Sequence, residues 1–123
     1  AANNARVTVN WALGVASLPK PAIKVLLNFA LLGMEALVRG GTLDIGAENR
    51  GGASEIVVRA AGPKIAFDQD IGKALEGDLG AGGLTSRNAA AFMLYHIAAR
   101  QGGGLQFVLS EDALVLGAVL PEG

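Results

Sequence analysis

Pro19 to Ile45 reads PKPAIKVLLNFALLGMEALVRGGTLDI, and its punctuation decides the fold. Two prolines stand where a helix can begin, because a missing N–H costs nothing in the first turn. An apolar helical period follows without an interior breaker. Gly40-Gly41 stops it, and Thr42 to Ala47 resumes as a strand. The reading is a helix to about Arg39 that runs directly into a strand. Ile23, Leu26, Leu27, Ala30, Met34, Leu37 and Val38 are expected to form its core stripe. Lys24, Asn28, Leu32 and Glu35 fall on a second stripe. Asn28 and Glu35 are the only polar residues between Val25 and Val38. A polar side chain is costly to bury, so both ask for a reason to be there.

Outward from this stretch, Arg6 to Trp11 alternate with period two and read as a half-buried strand. Trp11 is expected to anchor its end. Glu48 to Ala53 reads as a hairpin loop around Gly51-Gly52, with Ser54 to Ala61 as the return strand. Ile65 to Phe67 can extend that strand past Gly62-Pro63, and Asp68 to Glu76 reads as a short helical piece. Gly77 to Leu84 is a glycine-rich loop. Thr85 or Ser86 then caps a helix from about Arg87 to Gln101, which Gly102-Gly103-Gly104 ends. Leu105 to Ser110 and Ala113 to Leu120 form a hairpin around Glu111-Asp112. Hairpins require antiparallel pairing, whereas a strand-helix-strand unit permits a parallel neighbour. The fold class is a two-layer α/β sandwich: one domain over residues 1–123, with a mixed sheet of about five strands and helices on one face.

Composition narrows the chemistry. A chain of 123 residues, 51% hydrophobic, fills one core without staples. A formal net charge of −1 leaves no electrostatic footprint for nucleic acid or an anionic membrane. There are no cysteines, so disulfides and thiolate metal sites are excluded, in keeping with a cytoplasmic setting. No apolar run is long enough to span a membrane, and the polar start Ala1-Ala2-Asn3-Asn4-Ala5 is unlike a signal peptide. The missing initiator Met reads as a fragment boundary. His96 is the one imidazole. It sits in Phe92-Met93-Leu94-Tyr95-His96-Ile97, where a partly buried packing or hydrogen-bonding role is preferred over that of phospho-acceptor. Asp68 and Asp70 can be read as a metal pair, but a helix start is preferred. No metal site is expected.

Three landmarks now stand in order. The first is Asn28-Phe29-Ala30-Leu31-Leu32-Gly33-Met34-Glu35-Ala36 with Gly40-Gly41-Thr42, the second Val58-Arg59-Ala60-Ala61-Gly62-Pro63-Lys64-Ile65. The third is Gly80-Ala81-Gly82-Gly83-Leu84, opening toward Thr85-Ser86-Arg87. Together they resemble the ATP-binding domain of bacterial histidine kinases, the Bergerat fold. In that family the first landmark reads NLxxNAxxA and the second DxGxG, and the third is a glycine-rich phosphate loop. The family's magnesium-holding asparagine falls on Leu32, and a leucine cannot ligate a cation that wants oxygen. Its adenine-binding aspartate falls on Ala60, and the glycines of the same motif on Gly62 and Lys64. Glycine clusters alone are weak evidence for phosphate binding.

The degenerate pattern, with its Pro19-Lys20-Pro21 start, is similar to the C-terminal domain of the ChpT-type histidine phosphotransferases. That resemblance implies a non-catalytic, kinase-like domain in a two-component phosphorelay. It implies no catalytic residue and no cofactor in this chain, with a degenerate nucleotide site at Asn28, Leu32, Ala60, Gly62 and Lys64. It implies response-regulator receiver domains as partners, with Arg87 and Asn88 as candidate docking residues. It also implies a parent protein dimerised through upstream helices that carry the relay histidine and that this chain lacks. The alternative is an active Bergerat ATP-binding protein, a histidine or anti-sigma-type serine kinase, in which Asn28 or Glu35 replaces the lost metal ligand.

Overall fold

The computed structural model describes residues 6–121. The polar start over residues 1–5 therefore lies outside the described residues. Eight elements follow one another: β1 (Val7–Leu13), α1 (Lys20–Ala36), β2 (Gly41–Arg50), β3 (Ala53–Ala61), α2 (Gln69–Leu75), α3 (Ala89–Arg100), β4 (Gly104–Leu109) and β5 (Ala113–Pro121). They build one five-stranded sheet in the order β1-β2-β3-β5-β4. β1 pairs parallel with β2 across the α1 crossover, and the other neighbours pair antiparallel. The helices pack on one face. Leu43, Ile45, Ile56, Val58, Leu114 and Leu116 point from the central strands into a core shared with Val25, Phe29 and Leu94. No helix among the described residues is long and apolar enough to cross a membrane.

The hairpin loop expected over Glu48 to Ala53 is shorter than that. Gly51 and Gly52 alone make the turn, at φ 60° and 79°, the conformation that a two-residue type I′ hairpin demands at both central positions. Freed of a longer loop, Glu48 to Arg50 pair with Ala53 to Glu55. Ile65 to Phe67 do not extend β3. The Ala66 N–H donates to the Ala36 carbonyl at 2.9 Å, which ties this segment to the end of α1 and away from the sheet.

The core stripe of α1 is rotated from the expected one. Ala22, Val25, Leu26, Phe29, Leu32, Gly33 and Ala36 are buried, whereas Ile23, Leu27, Met34 and Val38 are exposed. Of the expected stripe, Leu26 and Leu37 are buried and Ala30 is half-buried. The helix also ends earlier, with Leu37 as its cap residue. A helix that is apolar nearly all round does not declare its packing face by period. Small residues choose it. A Cβ at Gly33 would stand 2.6 Å from Leu43 Cδ1 and 3.3 Å from Val58 Cγ1, so this is the face on which α1 can lie close to β2 and β3. Asn28 and Glu35 consequently avoid burial: Asn28 is half-buried, its amide donating to the Lys24 carbonyl at 2.8 Å, and Glu35 is exposed. Trp11 is no buried anchor either. It is 57% exposed on edge strand β1, where the expected half-buried pattern fails: only Val7 is half-buried and Thr8 to Leu13 are all exposed.

Candidate functional site

Between α1, the segment after β3 and the start of α3 lies an open cleft of about 730 Å³. Leu32 and Glu35 line it from α1, Ala66, Phe67 and Asp68 from the approach to α2, Ile71 from α2, Ser86 and Arg87 from the turn ahead of α3, and Ala90 from α3. Each wall has a local cause. Asp68 caps α2, its Oδ1 accepting the Asp70 N–H at 2.9 Å, which makes this aspartate pair a helix start as expected. Opposite it, Thr85 and Asn88 bond reciprocally. Thr85 Oγ1 accepts from the Arg87 and Asn88 N–H groups, and Asn88 Oδ1 accepts from the Thr85 N–H at 2.8 Å. This is a capping box with asparagine in the third helical position. The expected cap at Thr85 is therefore present, although the regular helix begins at Ala89.

The box corrects one docking expectation. Asn88 is 3% exposed, and its amide nitrogen donates to the Gly83 carbonyl at 3.1 Å. It fastens the glycine loop to α3 and offers nothing to a partner. Arg87 is exposed, and its guanidinium reaches Asp68 Oδ2 at 3.0 Å. That contact joins the start of α3 to the start of α2 at the mouth of the cleft. Its partners are solvent-accessible, so it positions these segments more than it stabilises the fold. Removing Asp68 takes away the cap and this contact together. Asp68→Ala is expected to cost about 1 kcal/mol of stability, chiefly through the cap, while Arg87→Ala stays within about 0.5 kcal/mol. Urea denaturation of the two variants measures both.

The five nucleotide-site positions scatter. Only Leu32 reaches the cleft, and it is 8% exposed on the apolar wall. Asn28 does not line the cleft. Ala60 is fully buried in β3, packed under Gly33. Gly62 donates its N–H to the Asp112 carbonyl at 2.9 Å. Lys64 stands in a separate recess with Pro63, Ile65, Glu111 and Asp112, beside the β4–β5 turn. The cleft's charge comes from Glu35, Asp68 and Arg87, one net negative, and its single cation is already paired. Among the described residues, no group of three or more His, Cys, Asp or Glu comes together as a metal site.

His96 differs from its expected burial. It is exposed on α3, with its ring edge-on to Phe92 at 4.5 Å and near Tyr95 at 5.3 Å. Sequence reasoning missed the Asp68–Arg87 contact, since nothing local links residues on two different loops. It also missed the role of Asn88, for which the Thr85-x-x-Asn88 spacing was an available signal.

A mixed sheet in this order, with a cleft at the end of α1 and a glycine loop opening α3, defines a histidine-kinase-like ATP-binding fold. The chain belongs to the histidine phosphotransferase C-terminal domain family, which matches residues 1–113. Solved structures agree. A bacterial phosphotransferase superposes with a TM-score of 0.80 at 20% identity, covering 92% of this chain and 55% of that one. The catalytic domain of the histidine kinase ThkA gives 0.68 at 16% identity over 94% of this chain and 78% of that one. Full-length ShkA, solved with AMPPNP, gives 0.67 at 18% identity over 94% and 25%. The chain thus spans about half the length of that phosphotransferase. No curated protein matches it.

Proposed function

We propose that this domain is the non-catalytic, kinase-like part of a histidine phosphotransferase in a cytoplasmic two-component phosphorelay. In this reading it binds no nucleotide. It supports phosphoryl transfer between response-regulator receiver domains by helping to dock them, while a relay histidine on upstream dimerising helices does the chemistry. The observation that carries the reading is Leu32, seated on the apolar wall of the cleft where an active relative needs a metal-holding amide. The pairing of Arg87 with Asp68 supports it, because the one cation of the cleft is engaged with a carboxylate.

Titration of the chain with magnesium and ATP at millimolar concentration tests the proposal. A working site at one hundred times its Kd would add about 2.7 kcal/mol of stability. That corresponds to a melting shift on the order of 10 °C. The expected result is no saturable heat and a shift below about 1 °C. Saturable binding that Leu32→Asp leaves unchanged and Asn28→Ala abolishes would instead assign an active nucleotide enzyme. The docking half of the proposal is read separately, by binding of phosphorylated receiver domains to the intact parent protein.

A further inference from the structure

The solvent side of α1 carries an ordered surface that neither the cleft nor the core uses. Lys20, Lys24, Leu27, Leu31 and Met34 are spaced 4-3-4-3 on the face opposite the buried one, and Val38 follows in the turn. Leu27, Leu31 and Met34 are 51%, 60% and 44% exposed. This spacing is the seam with which one helix packs lengthwise on another. A soluble domain has no reason to keep three large apolar side chains in such a row in water. The seam is polarised as well. Its first turns are basic, and Lys20 and Lys24 share with Arg100 of α3 a small recess whose lining contains no acidic residue. The single carboxylate of α1, Glu35, faces the cleft.

We propose that this seam is a docking surface for an amphipathic helix of a partner protein, apolar over the stretch facing Leu27 to Met34 and acidic where it passes Lys20 and Lys24. Charge decides the occupant. A second copy of this chain paired in parallel sets Lys24 against Lys24. Paired antiparallel, it sets the two lysines against the Val38-Arg39 end and leaves them without an anion. Both arrangements desolvate cations with no compensating partner, whereas an acidic-ended helix satisfies them and buries the leucines together. The inference does not depend on whether the domain takes part in phosphoryl transfer.

The test uses the whole chain and two synthetic helical peptides with identical leucine seams, one ending in glutamates on the seam face and the other in lysines. The acidic probe is expected to bind at least about tenfold more tightly than the basic one. Leu31→Glu, at a position exposed enough to leave the melting temperature unchanged, should weaken it by at least about tenfold. Lys24→Glu should equalise or reverse the preference between the probes. Equal affinity for both peptides, or acidic-probe binding insensitive to Leu31→Glu, overturns the proposal. Sedimentation velocity supplies the remaining arm: a dimer of the free chain that Leu31→Glu disperses would assign the seam to a second copy and overturn it too.

Discussion

Gly41→Ala is expected to destabilise the domain by about 3–5 kcal/mol, the sum of a strained backbone and a steric clash. Gly41 opens β2 at φ 138°, a conformation that L side chains rarely adopt. An added Cβ would also fall 2.1 Å from the Ala61 carbonyl oxygen, a backbone atom that cannot rotate away. Relief requires β2 to separate from the end of β3, where Thr42 pairs with Ala61, or the Gly41 N–H to release the Arg6 carbonyl that it now meets at 3.0 Å. Three strands meet at this one residue. Gly51→Ala is the matched control: φ is 60° there, but nothing stands within 4 Å of the added methyl, and the cost should be about 1 kcal/mol. Thermal melting of the pair should separate them by on the order of 10 °C. A Gly41→Ala protein within 1 kcal/mol of the parent would mean that the α1–β2 junction is loosely built.

That junction shows why part of the fold is legible. Gly40-Gly41-Thr42 is conspicuous because a backbone path with no room for a side chain admits little besides glycine, and such constraints are written in residue identity. The same holds for Gly51-Gly52 and for Thr85 ahead of α3. The packing face of α1 was illegible for the opposite reason. Leucine stands on nearly every side of that helix, so the period carries little information, and the face is set by where Ala22, Gly33 and Ala36 let two backbones approach. β1 misled in a similar way. Its residues alternate in sequence, but on this edge strand only Val7 is even half-buried, and Val9, Trp11 and Leu13 all stand exposed. At the site, Leu32 was placeable by counting along one helix. The cleft was not, because it is assembled from α1, the approach to α2 and the start of α3, and Asp68 and Arg87 meet only when the chain has closed. Ala60 and Lys64 share one motif in the sequence, yet one is buried in the core and the other stands beside the β4–β5 turn.

Ala60→Asp is the second large effect expected, and it bears on function directly. The resemblance to histidine kinases equates this position with an adenine-binding aspartate, so the substitution looks like a repair. The packing argues against it. Ala60 is fully buried, and an ideal Cβ on Gly33 would lie 3.7 Å from the Ala60 Cβ. A carboxylate introduced there meets α1 with no cation in reach, and a buried charge without a partner costs about 3–5 kcal/mol. Burial favours the protonated form, raising the folded-state pKa of the introduced carboxyl above its unfolded value. The penalty is therefore smallest below the unfolded pKa, near pH 4 or lower, and grows as the pH rises toward neutrality. Leu32→Asn should be milder, about 1–2 kcal/mol, because its amide lines an open cleft that water can enter. Urea denaturation at pH 4 and pH 7 distinguishes the two. If Ala60→Asp at pH 7 stays within 1 kcal/mol of the parent, the position opens onto the cleft, and the double substitution should then be titrated with ATP. If the penalty appears as expected, the way α1 sits on the sheet excludes a carboxylate at this position, and introducing two polar residues will not create a nucleotide site.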